Sequence, residues 1–557
     1  MSGDQPRKRS PAGLELTLHT LAKTNNEAAV GVLMPALDSP DAAVQQGALA
    51  ALLDRRSPTG QTEILKRLAD HAMQWRPIIE GRPGRMTHAL RDGLLGSDQT
   101  LCRTSCQAIV WFREFDLFPA LVTAAEDETH ANADLAAATI VELADLLYEE
   151  QSARRTGPDR RDPQLLRRNA TATLESSVAR FGRHHRREPV VAFVSLASRD
   201  NATLRQILAD PRNPAYLAII DAMLHEQHSG VVRLLLAFLE DPHAPTAALS
   251  VMGRRSDEKF TRSLLRKIGF EPSPAAARNL KRIDALAWLQ HDLDWFDSLD
   301  EAAQHSLVRL VALSGVHRDE AFGFIERMLR WGNAGGRRAA AKALAPFHGA
   351  QANALCLAAL EDSDPQVQAE AAAQLRPRSI PGALTHLIAL VDGPVEVVRQ
   401  AARTALAEFT FERFLASFDT LEDDVRSSTG VLVKKVSPHA VQALGEELRA
   451  KSRTRRIRGL AMARAMEIVP EVELQIVALL ADEDHLVRVE AARALAASTS
   501  PAAREALRQS LLDRSVVVQE AAEQSLQVLA ARSSGRPSAG NPPAVSPPVL
   551  EPEKAQP

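Results

Sequence analysis

Two histidines and two cysteines have the types and spacing that metal or nucleophilic chemistry requires. His225 and His228 lie three residues apart, and Cys102 and Cys106 lie four residues apart, so each pair shares one face of a helix. Metal sites use about three or four such ligands, and neither pair has further ligands beside it in the sequence. Buried thiols behave as small hydrophobes, and a histidine pair alone is typical of a surface or core position. We therefore predict no metal site and no catalytic residue here.

A cluster of tryptophan and aspartate lies in the stretch LAWLQHDLDWFDSLDE, residues 286–301. Trp288 and Trp295 are seven residues apart, which places both rings on one helical face beside Asp292, Asp294 and Asp297. The carboxylates would repel the phosphates of a nucleic acid. Aromatic residues at this spacing usually belong to a core, and we interpret the two tryptophans in that way.

Arginine concentrates in two segments, which suit an acidic protein, a nucleic acid or an anionic lipid. Gly157, Pro158 and Pro163 indicate a loop in the first segment, and long loops of repeat proteins tend to lie on one binding face. Solvated loops are the alternative interpretation of both segments. The predicted partner-binding residues are Arg154, Arg155, Arg160, Arg161, Arg167, Arg168, Arg183, Arg186 and Arg187 in the first segment, and Arg453, Arg455 and Arg456 in the second.

Composition limits what can position these side chains. A chain of 557 residues exceeds the size of one hydrophobic core, so we expect several domains or a repeat array. The net charge of −3 gives no global case for nucleic acid. Three cysteines do not suggest a disulfide framework, and we find no signal peptide and no apolar stretch long enough to span a membrane. These features predict a cytoplasmic protein without a membrane span.

A repeated unit supplies the positioning elements. The stretch EDSDPQVQAEAAAQL, residues 361–375, contains Val367, then a polar residue, then Ala371. Similar groups of an aliphatic or small residue, arginine or glutamine, and a small residue recur at steps of 27 to 32 residues. A period in this range is the signature of stacked helical units. The copies begin at Val308, Gly336, Val367, Val398, Val425, Ile457, Val487 and Val518, and a further copy begins at Val44.

The physical chemistry of one unit predicts its fold. Asp364 can cap the first turn of a helix, and Pro365 suits the first helical position because its missing N–H costs nothing there. Val367, Ala371 and Leu375 then fall on one face. A single hairpin cannot bury that face, whereas stacked hairpins form a continuous core. We predict an all-α fold, a right-handed α-solenoid superhelix of stacked antiparallel helical hairpins with a period of about 31 residues.

The unit resembles HEAT and HEAT-like repeats, including the short repeats of phycobilin lyases. The motif that carries the resemblance is Asp-x-x-x-x-Val-Arg-x-x-Ala, seen from Asp482 to Ala491. The resemblance implies a ladder in which aspartates and arginines of adjacent repeats pair, and Gln368 and Gln519 would interrupt it. The implied ladder residues are Asp362, Asp392, Asp482 and Asp513 with Arg399, Arg458 and Arg488.

The regularity of the repeat varies along the chain and predicts its organisation. Residues 13–150 and 301–532 are predicted to be HEAT-like repeats. Residues 151–300 are predicted to be degenerate helical repeats that carry the arginine-rich loop, with a separate small helical domain as the alternative. Residues 1–12 and the proline-rich residues 533–557 are predicted to be disordered tails, because such compositions form no core.

Some proteins with HEAT-like repeats are enzymes, and the resemblance therefore implies three enzyme classes as alternatives. HEAT-like iron-dependent hydroxylases carry several His-Glu pairs, whereas this chain has one, His225-Glu226. HEAT-like DNA glycosylases use an aspartate with tryptophans on a basic face, and phycobilin lyases need a pigment pocket; this chain matches neither pattern. We predict a non-enzymatic scaffold or adaptor that binds protein partners on an extended superhelical surface, without cofactor or metal. The alternatives are a HEAT-like enzyme, either lyase or DNA-modifying, and a nucleic-acid-binding module that uses the arginine-rich loop.

Overall fold

The computed structural model describes residues 12–152, 162–290 and 294–533, and every regular element in these ranges is helical. The prediction of an all-α chain is confirmed. Residues 1–11 and 534–557 of the predicted tails, together with Arg154, Arg155, Arg160, Arg161 and Asp292, lie outside the described residues, while Ala12 and Ser533 belong to terminal helices. Within the described part, no helix has the length and apolar character needed to cross a bilayer.

The chain divides into two compact units, Met1–Ala343 and Leu344–Pro557. The helices of the first unit are α1 (Ala12–Lys23), α2 (Ala28–Ala36), α3 (Ala42–Arg55), α4 (Pro58–Glu80), α5 (Thr87–Leu95), α6 (Gln99–Trp111), α7 (Phe118–Glu126), α8 (Ala133–Ser152), α9 (Pro163–Ala179), α10 (Phe181–His184), α11 (Glu188–Leu196), α12 (Ala202–Ala209), α13 (Tyr216–His225), α14 (Ser229–Leu239), α15 (Thr246–Arg254), α16 (Glu258–Ile268), α17 (Pro274–Leu280), α18 (Asp294–Asp297), α19 (Glu301–Leu313), α20 (Arg318–Trp331) and α21 (Ala334–Ala343).

The second unit continues the same type of structure. Its helices are α22 (Ala350–Ala359), α23 (Pro365–Gln374), α24 (Ala383–Val391), α25 (Glu396–Ala405), α26 (Phe411–Ser417), α27 (Asp423–Val436), α28 (Ala440–Leu448), α29 (Arg453–Ala465), α30 (Glu473–Leu479), α31 (His485–Leu495), α32 (Pro501–Ser510) and α33 (Val516–Ser533). Short 3-10 helices lie at Phe115–Leu117, Ala287–Gln290, Ala407–Phe409 and Phe418–Thr420.

Within each unit, the helices pack as layered hairpins. In the first unit α8, α11, α14, α16, α19 and α21 follow one another in one layer, each packed on the next. In the second unit α27, α29, α31 and α33 form an equivalent succession, and α28, α30 and α32 each pack on the helix that follows. This is the predicted stacking of hairpins that individually cannot bury an apolar face.

The local signals in the repeat act as predicted. The carboxylate of Asp364 accepts a hydrogen bond from the backbone N–H of Gln366 at 2.8 Å, and Pro365 opens the helix. Val367, Ala371 and Leu375 are buried. The capping and packing roles of this unit are therefore confirmed.

Many of these helices carry a turn-closing residue, whose side chain hydrogen-bonds to the turn just before the helix. The turn-closing residue lies four positions after the last residue before the helix, and its side chain donates to a backbone carbonyl of that turn. Glutamine and arginine side chains both reach this carbonyl, so a repeat with glutamine in place of arginine still makes the turn-closing hydrogen bond. The bonds run from Gln368 to Asp362 (2.7 Å), Arg399 to Gly393 (2.8 Å), Arg456 to Ala450 (3.0 Å), Arg488 to Asp482 (2.8 Å) and Gln519 to Asp513 (2.6 Å).

Arginine at this position has further donors, and in two repeats they reach an aspartate of the next repeat. Arg488 contacts both carboxylate oxygens of Asp513, at 2.8 and 3.0 Å. Arg456 lies 2.8 Å from Asp482. The planar guanidinium fork makes such two-pronged contacts, which a glutamine amide cannot reproduce. The ladder therefore depends on arginine, whereas the turn closure does not.

The structure corrects the repeat alignment at two places. The residue that meets Asp482 is Arg456 rather than Arg458, because α29 begins after Ser452 and Arg456 is its turn-closing residue. Arg458 instead lies 3.5 Å from Asp419. In α19 the turn-closing residue is Gln304, which donates to the carbonyl of Phe296 at 3.0 Å.

The remaining residues of the implied ladder have other neighbours. Asp392 lies 2.5 Å from Lys435, and Arg399 contacts Glu396 on its own helix. Asp362 accepts from the backbone N–H of Asp364 at 2.7 Å. Because Gln368 replaces arginine in the repeat before Asp392, no guanidinium from that position can reach this aspartate.

Candidate partner-binding grooves

The histidine pair is divided between two different aspartates. His228 caps α14 by accepting from the backbone N–H of Gly230 at 3.1 Å, and its other nitrogen lies 3.2 Å from Asp145. His225 is exposed and lies 3.7 Å from Asp221. Burial lowers the pKa of His228, which favours the neutral ring. Among the described residues, no group of three histidine, cysteine, aspartate or glutamate side chains is placed to hold a metal.

The cysteine pair lies inside the first unit. Cys102 and Cys106 are fully buried in α6, and their thiols contact each other. The contact with Cys106 lowers the pKa of Cys102 to about 7, whereas the same contact and burial raise the pKa of Cys106. Burial separates both sulfurs from any substrate in solution, so the two cysteines are part of the hydrophobic core.

The tryptophan cluster also contributes to packing. Trp288 is buried, and its ring meets Phe296 edge-on at a centroid distance of 5.2 Å and Phe324 at 6.0 Å. The side chains of Asp292, Asp294 and Trp295 lie outside the described residues, and Asp297 lies 4.0 Å from Arg327.

Two arginines of the first predicted cluster line a groove between α9 and α11. This α9–α11 groove has a volume of about 800 Å³. Arg167 is half-buried in it and donates to the carbonyls of Leu196 and Ala197 at the end of α11, at 2.7 and 3.3 Å. A cation is stabilised at a helix C-terminus, so Arg167 has a structural task. Arg168 is exposed.

The other described arginines of that cluster point to separate neighbours. Arg186 forms an ion pair with Asp134, and Arg187 forms one with Asp221. Arg183 is exposed. The sequence cluster is therefore not one patch of uncompensated charge in the described part of the chain.

The second predicted cluster is neutralised within the second unit. Each of its three arginines meets a different acidic side chain, two of them in the turn before α31 and one in α28. The pairs are Arg453 with Asp484 (3.2 Å), Arg455 with Glu447 (2.6 Å) and Arg456 with Asp482 (2.8 Å). Hydrogen bonding to Arg455 lowers the pKa of Glu447, so this carboxylate is ionised at neutral pH.

A second groove, which no sequence pattern indicated, runs between α14 and α16. This α14–α16 groove has a volume of about 740 Å³. Val232, Leu236 and Ala237 form its apolar floor. Among its described lining residues, one is acidic, Glu240, and five are cationic: Arg199, Arg233, Lys259, Arg266 and Lys267.

Backbone carbonyls, rather than carboxylates, hold most of these cations. Arg233 donates to the carbonyl of Ala197 at 3.0 Å, and its guanidinium lies 5.2 Å from the ring centre of Tyr148. Lys259 donates to the carbonyl of Gln227 at 2.8 Å. A carbonyl orients a cation but does not cancel its net charge. The groove therefore presents fixed positive charge to solvent.

The one acidic residue among the described lining residues, Glu240, has its partners at one end of the α14–α16 groove. Glu240 lies 3.0 Å from Lys267 and accepts a hydrogen bond from Ser273. Burial alone would raise the pKa of Glu240, but the bonds from Ser273 and Lys267 hold it below its ordinary value. Glu240 thus neutralises Lys267. Arg199 lies 3.7 Å from the exposed Asp200, while Arg233, Lys259 and Arg266 have no carboxylate within ion-pair distance among the described residues.

Spacing along two helices is the signal that could have revealed this groove. Lys259, Ser263 and Arg266 lie at i, i+4 and i+7 in α16, on one helical face. Val232 and Leu236 are four residues apart in α14. Each helix alone has an ordinary amphipathic pattern, and only their stacking produces a groove.

Comparison with known proteins identifies the repeat. Residues 323–407 match the family model for HEAT repeats, so the chain contains HEAT repeats. No curated protein matches the sequence.

Three solved structures are similar to this chain at low identity. One comes from a study of a phosphorylation switch in the interaction between cadherin and beta-catenin (14% identity, TM-score 0.38, 90% of this chain and 99% of that chain). The others are human deoxyhypusine hydroxylase in complex with glycerol (18%, 0.16, 54% and 96%) and Kap121p (12%, 0.23, 93% and 53%). Likenesses at these TM-scores carry no information about activity.

Proposed function

We propose that this chain, whose residues 323–407 match HEAT repeats, is a non-enzymatic scaffold that binds a protein partner in the α14–α16 groove. The observation that carries the proposal is the combination of an apolar floor with cations held by backbone carbonyls. Such a surface buries aliphatic side chains of a partner and orients its polar groups. Fixed donors also lower the entropic cost of binding, because their rotamers are already restricted.

Nucleic acid is the second candidate, because five lining residues of the groove are cationic. Phosphate contacts would supply affinity that falls steeply with salt. An aliphatic floor does not offer the stacking surfaces that single strands use, so the groove favours protein. The floor residues Val232, Leu236 and Ala237 are all aliphatic.

Photo-crosslinking tests the proposed function directly. A photoreactive benzoylphenylalanine replaces Leu236 in the groove, and in the matched control it replaces Leu217, an exposed leucine of α13. Irradiation in the source cells should give protein adducts from position 236 and none from position 217. Adducts that contain RNA or DNA, or no adduct from position 236, would contradict the proposal. Unchanged thermal melting of both variants is the folding control.

A further inference from the structure

The α14–α16 groove does not end at α16. Arg266 also lines a smaller groove of about 290 Å³ between α16 and α19, the α16–α19 groove, together with Phe270 and Ala303. Phe270 is 64% exposed, and its ring lies 4.7 Å from the ring of His305. The shared arginine makes the two grooves one track, with an aliphatic floor at one end and an exposed ring at the other.

The charges along this track are mostly positive. Arg233, Lys259 and Arg266 belong to the first groove, and Arg262 lines the second, where it pairs with Glu258 at 2.6 Å. An occupant that runs along the track therefore gains most if it carries negative charge between two apolar ends.

The spacing of the helices sets the spacing of the apolar ends. Neighbouring packed helices lie about 8 to 10 Å apart. A fully extended peptide advances about 3.3 Å per residue, so about three residues are the shortest separation for side chains that enter the two grooves, and about four residues cover the distance when the peptide is less than fully extended.

On this basis, and resting on the proposed function, we infer that the track binds an acidic protein segment with two apolar side chains about four residues apart. One apolar side chain rests on Leu236 and Ala237, and the other rests against Phe270. The carboxylates between them meet Lys259 and Arg266. The aliphatic floor of Val232, Leu236 and Ala237 suits an apolar side chain rather than a base, which favours a protein segment over nucleic acid.

A peptide titration tests the inference. The probe is a fluorescein-labelled peptide with the core LDEDL, and fluorescence anisotropy at 150 mM salt reports its binding to the full chain. The double variant Lys259→Glu/Arg266→Glu should weaken binding at least about tenfold, because two attractions become repulsions. The matched control, Arg168→Glu/Arg183→Glu, makes the same change in net charge at exposed arginines outside the track and should change binding less than about twofold.

Two further probes separate charge from the floor. The peptide core LNQNL has the same shape without charge and should bind at least about tenfold more weakly than LDEDL. Leu236→Asn should weaken LDEDL binding without adding a charge to the groove. Raising the salt should weaken the wild-type complex, a measurement that needs no variant.

Three outcomes would overturn the inference. These are no binding of LDEDL to the wild-type chain below 1 mM, equal losses in the groove variant and its control, or a twelve-residue thymidine oligonucleotide that binds in a manner abolished by Lys259→Glu/Arg266→Glu while the peptide does not bind. If the peptide fails but position 236 still crosslinks to protein in cells, the scaffold proposal stands and the acidic segment is wrong. If the peptide binds but no protein crosslinks, the scaffold proposal fails and the recognition chemistry stands.

Discussion

The repeats around α31 and the helices around α14 both hold an arginine with backbone carbonyls, but in the part of the chain that the structure describes only the arginine of α31 also has a carboxylate partner. In α31, Arg488 has a side chain only 4% exposed, donates to two turn carbonyls and contacts both oxygens of Asp513. In α14, Arg233 also donates to carbonyls, but an aromatic ring rather than a carboxylate completes its surroundings among the described residues. The first arginine is neutralised within the fold, whereas the second retains its charge.

In the proposed function, this difference separates a repeat that binds a partner from a repeat that is only structural. In α29 and α31 the turn-closing guanidinium pairs with an aspartate of the next repeat, which neutralises its charge. In α14 Val232 occupies the turn-closing position, and the next residue, Arg233, is held by carbonyls at the end of α11 without an acid among the described residues. In the proposed function, a cation held without an acidic partner, more than an excess of arginine, therefore creates the binding surface.

Removal of the arginine should have very different effects in the two regions. Arg488→Leu should lower the free energy of unfolding by about 3–5 kcal/mol, because it leaves Asp513 poorly solvated without its cation. Arg233→Leu should cost only about 1 kcal/mol, the value of lost hydrogen bonds to carbonyls. Urea denaturation followed by circular dichroism measures both values.

Two further variants on the same helix sharpen this result. Arg488→Gln should retain a turn-closing bond, as Gln519 does one repeat later, and should lose about 1 kcal/mol less stability than Arg488→Leu. Arg493→Leu removes an exposed ion pair with Glu490 and should cost less than about 0.5 kcal/mol. Equal losses for Arg488→Leu and Arg233→Leu would show that the acidic partner is not what separates the regions.

Close helix packing should be a property that the two regions share. A Cβ on Gly230 of α14 would lie 2.1 Å from the carbonyl oxygen of Ser195, and a Cβ on Gly430 of α27 would lie 2.4 Å from that of Ala465. Each oxygen belongs to backbone and cannot move alone. Gly230→Ala and Gly430→Ala should each lower the free energy of unfolding by about 1–3 kcal/mol.

A glycine in open space gives the control for this pair. Gly323 lies within α20, and a Cβ there would have no atom within 4 Å, so Gly323→Ala should raise stability by about 0.5–1 kcal/mol. Thermal unfolding of the three variants reports the sign in each case. If Gly230→Ala were neutral while Gly430→Ala was costly, the irregular region would be more loosely packed than the regular one.

Much of the fold followed from the sequence because its signals are local. Asp364, Pro365 and the spacing of Val367, Ala371 and Leu375 all act within one helix. The alignment failed where local signals are ambiguous. Ser452 precedes α29 where other repeats have an aspartate, so the sequence pattern aligns Arg458 with the ladder position, two residues after the true position at Arg456.

In α19 the alignment error has its cause in the residue types. The match at Val308 places Arg309 at the turn-closing position, five residues beyond the true position at Gln304. Val308 and Arg309 match the residue types of the motif, whereas Ala303 and Gln304 hold its true positions, so residue types alone favour the wrong alignment. The turn-closing bond distinguishes the two alignments, but it becomes visible only in three dimensions.

The candidate groove could not be predicted by looking for consecutive arginines. Neighbouring residues of a helix point about 100° apart, so a run such as Arg453 to Arg456 spreads its charges over several directions. Arg233 and Lys259 are 26 residues apart and meet only because α14 packs on α16. A search for cations on the matching faces of successive repeats would have placed them together.

The smallest predicted effect concerns the arginines that the sequence made prominent. Arg186→Ala and Arg187→Ala remove ion pairs with Asp134 and Asp221 in which at least one member is well exposed to solvent, so each should change stability by less than about 0.5 kcal/mol. Neither residue lines the α14–α16 groove, so binding of the LDEDL peptide should change less than about twofold. Parallel anisotropy titrations of these variants and Arg266→Ala test the contrast, since the last should weaken binding several-fold. A larger loss from Arg187→Ala than from Arg266→Ala would move the binding surface back to the segment that the sequence first indicated.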